Sequence, residues 1–166
     1  MTVQETEKAR SAVATCAARA PIRAVFAAVA MAALAAPVPA LEFRSTAEPA
    51  TILYDGPSLK SQKVFVVGRD YPFEVVVALE GWAKVRDMNG TLVWIERKAL
   101  SDKRIVVVRS AAADVLAAAE ANAKPVFRVE QNVLLELVEP PVSGWVKVRH
   151  RDGQTGYIAI SQVWGL

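Results

Sequence analysis

Four tryptophans and three tyrosines are the residues of this chain best suited to holding a ligand. A Trp or Tyr ring presents a large, rigid apolar face to a sugar or a proline, and its N–H or O–H finds an acceptor. Two of the tryptophans recur in near-identical surroundings, Gly81-Trp82-Ala83-Lys84-Val85-Arg86 and Gly144-Trp145-Val146-Lys147-Val148-Arg149. The same segments carry matched basic pairs, Lys84/Arg86 and Lys147/Arg149, suited to carboxylates of a peptide or to an anionic glycan. Each set admits two readings. The tryptophans either stand exposed as anchors or close a small core. The basic pairs either meet a ligand or line a solvated strand face, balanced across a hairpin by Glu74 and Glu136.

Catalytic chemistry is poorly provided for. The chain has one histidine, His150, and one cysteine, Cys16. Cys16 falls in a segment expected to be removed, which leaves cysteine–histidine catalysis without its nucleophile. One histidine without cysteine does not make a typical zinc site. A Ser–His–Asp triad would have to use His150, which falls in an exposed hairpin turn. There is no glycine-rich phosphate loop. The expectation is a protein that is not an enzyme, with no catalytic residue, no metal and no cofactor.

These residues are positioned by a duplication. Beyond the two Gly-Trp segments, Gly90 matches Gly153, Trp94 matches Tyr157 and Ile95 matches Ile158, all at an offset of 63. Upstream the offset is 62: Val64-Phe65-Val66-Val67 matches Val126-Phe127-Arg128-Val129, and Glu74 matches Glu136. One residue inserted near Pro140-Pro141-Val142-Ser143 accounts for the change, since a turn absorbs a length change cheaply. Trp164 has no tryptophan counterpart and is expected to pack between the units.

Each unit reads as short strands. Trp82, Lys84 and Arg86 alternate with Ala83 and Val85, so the two sets face opposite ways. Met88-Asn89-Gly90 and Arg151-Asp152-Gly153 are tight-turn signals. Residues 111–122 are alanine-rich and read as a helix by propensity. The repeat sets them against Leu53-Tyr54-Asp55-Gly56-Pro57-Ser58, and a strand followed by a long loop is expected instead.

Residues 1–40 differ in kind. They hold fifteen alanines and no glycine, and Arg19 and Arg23 precede an uncharged run of thirteen residues, 24–36. A bilayer-spanning helix needs about 20. Pro37-Val38-Pro39-Ala40 follows, with small residues at the positions a signal peptidase requires. A signal-peptide helix over 1–40, cleaved after Ala40, is expected, with no membrane span remaining. The whole chain has a net charge of +3. Four basic and two acidic residues leave with the leader, so 16 basic and 15 acidic remain, a net of +1. That balance removes the case for nucleic-acid binding.

The pattern Gly-Trp-x-Lys-Val-Arg, followed about four residues later by Gly-x-x-x-Trp/Tyr-Ile, resembles the bacterial SH3-like (SH3b) family. Leu53-Tyr54-Asp55 looks like that family's first-strand motif, and Gly156-Tyr157-Ile158 like the one introducing its last strand. The resemblance implies an all-β chain: two small SH3-like five-stranded barrels in tandem, over 41–102 and 103–166, behind the leader. It implies an aromatic groove formed by Tyr54, Trp82 and Trp94 in the first unit, and by Trp145 and Tyr157 in the second, where Leu116 replaces Tyr54. It further implies a periplasmic or wall-associated module recognising peptidoglycan or an envelope protein or peptide, mainly through the first unit. The alternative is an assembly adaptor acting through barrel docking and edge pairing, with Ile105-Val106-Val107-Val108 as a hydrophobic edge.

Overall fold

Alternation of apolar and polar residues turns each half of the chain into strands, because successive side chains leave a strand on opposite faces. The structure, a computed structural model, describes residues 41–166. The expected signal-peptide helix, its cleavage after Ala40, and Cys16 lie outside the described residues.

In the first unit the strands are β1 (Glu42–Thr46), β2 (Thr51–Tyr54), β3 (Lys63–Val67), β4 (Pro72–Ala78), β5 (Trp82–Arg86), β6 (Leu92–Glu96) and β7 (Leu100–Ser101). They form one antiparallel sheet in the order β3-β2-β6-β5-β4-β1-β7. The second unit repeats the plan with β8 (Ile105–Val108), β9 (Ala112–Leu116), β10 (Pro125–Glu130), β11 (Leu134–Leu137), β12 (Trp145–Arg149), β13 (Thr155–Ala159) and β14 (Val163–Trp164). Its order is β10-β9-β13-β12-β11-β8-β14, the same sequence of partners. The five strands expected per unit become seven in each sheet. A long hairpin contributes its outer arm (β3, β10), and a two-residue strand (β7, β14) returns to the first strand of its unit. Among the described residues no helix is long and apolar enough to cross a membrane.

The duplication extends to individual hydrogen bonds. Asp70 N–H donates to Thr46 O at 2.9 Å and Asn132 N–H to Val108 O at 2.8 Å, an offset of 62. Arg97 N–H donates to Gly81 O and Ile160 N–H to Gly144 O, both at 3.0 Å, an offset of 63. The bond from Leu79 N to Trp82 O returns as Val142 N to Trp145 O, so residues 139–141 absorb the insertion. The cores obey the same arithmetic: Leu53, Phe73, Val85 and Ile95 in the first unit become Val115, Leu135, Val148 and Ile158 in the second. Each is at most 2% exposed, and burying such a side chain stabilises by about 1.5–3 kcal/mol.

Residues 112–116 are strand and 117–124 a loop. Helix propensity loses because Ala113 and Val115 alternate into the core while β10 and β13 pair with β9 on its two sides. The reading of Ile105–Val108 as a free hydrophobic edge is overturned. All four residues are buried, and β8 runs between β11 and β14. A short run that is apolar throughout belongs to a strand covered on both faces. The outer strands with exposed apolar residues are β3, through Val64, Phe65 and Val66, and β10, through Val126.

Three residues, Asp102 to Arg104, join the sheets. Trp164 of β14 meets Phe43 of β1 edge-on, with ring centroids 5.1 Å apart. The Arg104 guanidinium stands 5.9 Å from the Phe43 ring and donates to Gly165 O. Ser45 Oγ donates to Lys103 O at 2.8 Å, and Arg44 pairs with Asp102. Trp164 therefore packs between the units, as its lack of a counterpart suggested.

Candidate functional site

The aromatic residues singled out in the first unit come from three neighbouring strands. Tyr54 ends β2 and lies opposite Trp94 of β6, which in turn lies opposite Lys84 of β5. Trp82 and Lys84 sit on the face of β5 away from buried Ala83 and Val85, which brings them to the same side. The Tyr54 and Trp82 rings meet edge-on, centroids 5.4 Å apart and planes at 85°, a favoured aromatic geometry. Lys84 Nζ stands 5.9 Å from the Trp94 ring. Tyr54 is only 5% exposed, so it serves as the wall that fixes Trp82. Trp82 and Trp94 are half-buried and supply the accessible surface.

The second unit keeps the register and changes the filling. Tyr157 lies opposite Lys147 and Leu116, and Trp145 opposite Ala159. With Leu116 in the place of Tyr54, no ring stands at that position. A cleft of about 230 Å³ lies between Trp145 and Tyr157, walled by Pro140, Val142 and Lys147. That is below the roughly 300–1,000 Å³ of pockets for drug-sized ligands; it suits one ring or one side chain of a longer ligand. Lys147 Nζ donates to Glu139 Oε1 at 2.6 Å and stands 5.8 Å from the Tyr157 ring. The hydrogen bond and the charge of Glu139 hold the ammonium's pKa above its ordinary value, with the Tyr157 phenol adding to the effect. Lys98 is raised in the same way by its bond to Glu96.

Pro140 and Val142 were not singled out as site residues by sequence. Their signal was the break in the repeat: the inserted residue lengthens the turn that walls this cleft. The basic pairs divide. Arg86 Nη1 donates to both Glu74 carboxylate oxygens at 3.2 and 2.9 Å, and Arg149 lies 3.9 Å from Glu136. Those two arginines are balanced across their hairpins. Lys84 lies instead beside Trp94, next to the aromatic surface.

His150 is half-buried at the β12 turn. Its Nδ1 is 3.0 Å from Asp152 Oδ2, and its ring is 5.9 Å from Phe127. In the matching turn of the first unit Asp87 Oδ1 accepts from the N–H groups of Asn89 and Thr91. In the second unit Asp152 Oδ1 accepts from Gln154 N. That backbone hydrogen bond lowers the Asp152 pKa, and the contact with His150 lowers it further. Among the described residues, no group of three or more His, Cys, Asp and Glu side chains is arranged to hold a metal ion.

Among solved structures, the chain is similar to NlpC2 of Trichomonas vaginalis, with 17% identity and a TM-score of 0.35 over 75% of this chain and 48% of that one. NlpC1 of the same organism gives 16% and 0.34 over 77% and 47%. An NlpC/P60 family protein of Bacillus cereus gives 14% and 0.34 over 74% and 56%. The chain thus spans about half the length of these structures. No curated protein matches it. The family described as bacterial SH3 domain matches twice in succession, over residues 47–102 and 104–165. With most of its length covered by those two matches, the chain belongs to the bacterial SH3 domain family and carries the domain as a tandem pair.

Proposed function

We propose that this chain is a non-enzymatic, exported binding protein that recognises peptidoglycan, or a protein or peptide of the cell envelope, in the periplasm. The observation that carries this reading is the aromatic cleft of the second unit, with Trp145, Tyr157, Pro140 and Val142 around about 230 Å³. Stacking faces of this kind suit a sugar ring or an apolar side chain. Trp82 and Trp94 give the first unit a second aromatic surface next to Lys84. Retention of the full chain on isolated cell walls tests the proposal. Trp145→Ala is expected to release most of the bound protein and Trp82→Ala part of it. Retention equal to the parent in the double variant would sink the aromatic-cleft reading. N-terminal sequencing of protein recovered from the producing cell tests export, with Leu41 as the expected first residue.

A second reading, an assembly adaptor, is favoured by one observation. The outer strand β3 exposes Phe65 at 50% and Val66 at 65%, and an uncovered apolar edge is a template for another strand. Light scattering separates the two readings. The adaptor requires a concentration-dependent larger species that Phe65→Glu abolishes.

A further inference from the structure

We propose that the junction between the two units is a second binding site, one for a small anionic ligand bearing phosphate or carboxylate groups. A cleft of about 430 Å³ lies there, lined by the turn between β3 and β4, by the short connection and by the second unit. Arg69, Lys103, Arg149 and Arg151 line it together with only two carboxylates, Asp70 and Glu136, which leaves two cations in excess. Lys103 is paired with Asp70 at 3.2 Å, and Arg149 lies 3.9 Å from Glu136. Arg69 and Arg151 form no ion pair among the described residues, and both are exposed. Two guanidinium groups without protein carboxylates, in a concave site, match the planar two-oxygen edge of a phosphate or carboxylate.

The duplication shows how this charge arose. At the offset of 63, His150 and Arg151 stand where the first unit has Asp87 and Met88. In the first unit Asp87 caps the turn. In the second unit the turn keeps its glycine, Gly153 at φ 93°, while the cap moves to Asp152. Moving the cap lets position 150 lose its carboxylate and position 151 gain a guanidinium without losing the turn. The two copies diverge in charge at the turn that lines the cleft. This site uses none of the aromatic residues and stands apart from the wall-binding reading.

The test is a titration of the full chain, followed by amide NMR at low ionic strength, with inorganic phosphate in one arm and citrate in the other. Saturable shifts grouped at Asp70, Lys103, Asn132 and Arg151 are expected. The arm that saturates at lower concentration names the preferred group, and saturation in either supports the site. The decisive variant, His150→Asp with Arg151→Met, restores the first unit's own residues and so keeps a turn this fold already uses. It is expected to weaken binding about tenfold, since losing the exposed Arg151 charge and adding a carboxylate at position 150 cost about threefold each. Arg69→Gln is expected to weaken it about threefold by the same reckoning. Lys124→Gln, a basic residue outside the cleft, controls for a general charge effect. The proposal is overturned if neither anion saturates, if the shifts scatter over the surface, or if the Lys124 variant loses as much affinity as the double variant.

Discussion

Phe43→Ala removes the ring on which the two halves of the chain meet. Phe43 belongs to β1 and is 7% exposed, yet its ring contacts Trp164 of β14 and lies beneath Arg104. Truncating a buried Phe costs about 3–5 kcal/mol. Trp164 is half-buried and can settle into part of the gap, which places the cost near the lower end, about 3 kcal/mol. Of this, about 1 kcal/mol belongs to the edge-on pair and about 0.5–1 kcal/mol to the guanidinium over the ring. Phe43→Leu keeps most of the apolar volume and loses mainly those two contributions, so about 1.5–2 kcal/mol is expected. Urea unfolding of the full chain, followed by tryptophan fluorescence and circular dichroism, measures both. With a denaturant slope of about 1–3 kcal/mol/M, the alanine variant should lower the midpoint by about 1–3 M. A loss under about 0.5 kcal/mol for the alanine variant, against the 3 expected from burial, would refute the docking argument. So would a leucine variant as costly as the alanine one.

Gly156→Ala should cost about 1–3 kcal/mol by overpacking, because an added Cβ would stand 2.7 Å from both Leu116 O and Val115 Cγ1; thermal unfolding reads the loss. Glu74→Gln should cost about 1 kcal/mol, the modest size reflecting an Arg86 side chain that is 42% exposed; the difference from the parent should shrink in high salt. The Asp152 carboxyl is held below its ordinary 3.8, so its contribution is full above that pH and is lost as pH falls through the depressed value. The Tm gap between the parent and Asp152→Asn should therefore narrow as pH falls below about 4. A gap that fails to narrow below about pH 4 would contradict the hydrogen bonding assigned to this turn.

The sequence carried the parts of the fold that rest on period and duplication. Ala83 and Val85 alternate with Trp82, Lys84 and Arg86, and a period of two assigns faces without knowledge of neighbours. The trio Tyr54, Trp82 and Trp94 could be grouped through the resemblance to the bacterial SH3-like family, whose groove positions they match. What escaped depends on contacts across the sheet. The resemblance gave Tyr54 as a groove position without showing its depth, and its ring lies edge-on against Trp82 and is buried. Leu116 looked like a weakening of the second unit, yet the open cleft lies beside Trp145, where a smaller residue leaves room. Ile105–Val108 read as a sticky edge because its hydrophobicity was visible and its two flanking strands, β11 and β14, were distant in sequence. The junction cleft was not legible at all. It joins residues from the Arg69 turn to the Arg151 turn, more than eighty positions apart.

The connection between the sheets has only three residues, Asp102 to Arg104, and each is tied down, by Arg44, by Asp70 and Ser45, and by Gly165. A tether so short and so held does not act as a flexible linker. Effective concentration for a second binding event peaks where the span between two modules matches the span between two epitopes, and vanishes where it cannot. A pair of domains fixed in this way has surrendered the adjustable reach of a loose tandem. Under the proposed binding role, with both units engaged, it would act on a ligand with regularly repeating groups as a caliper, gaining avidity at one spacing and none at the others.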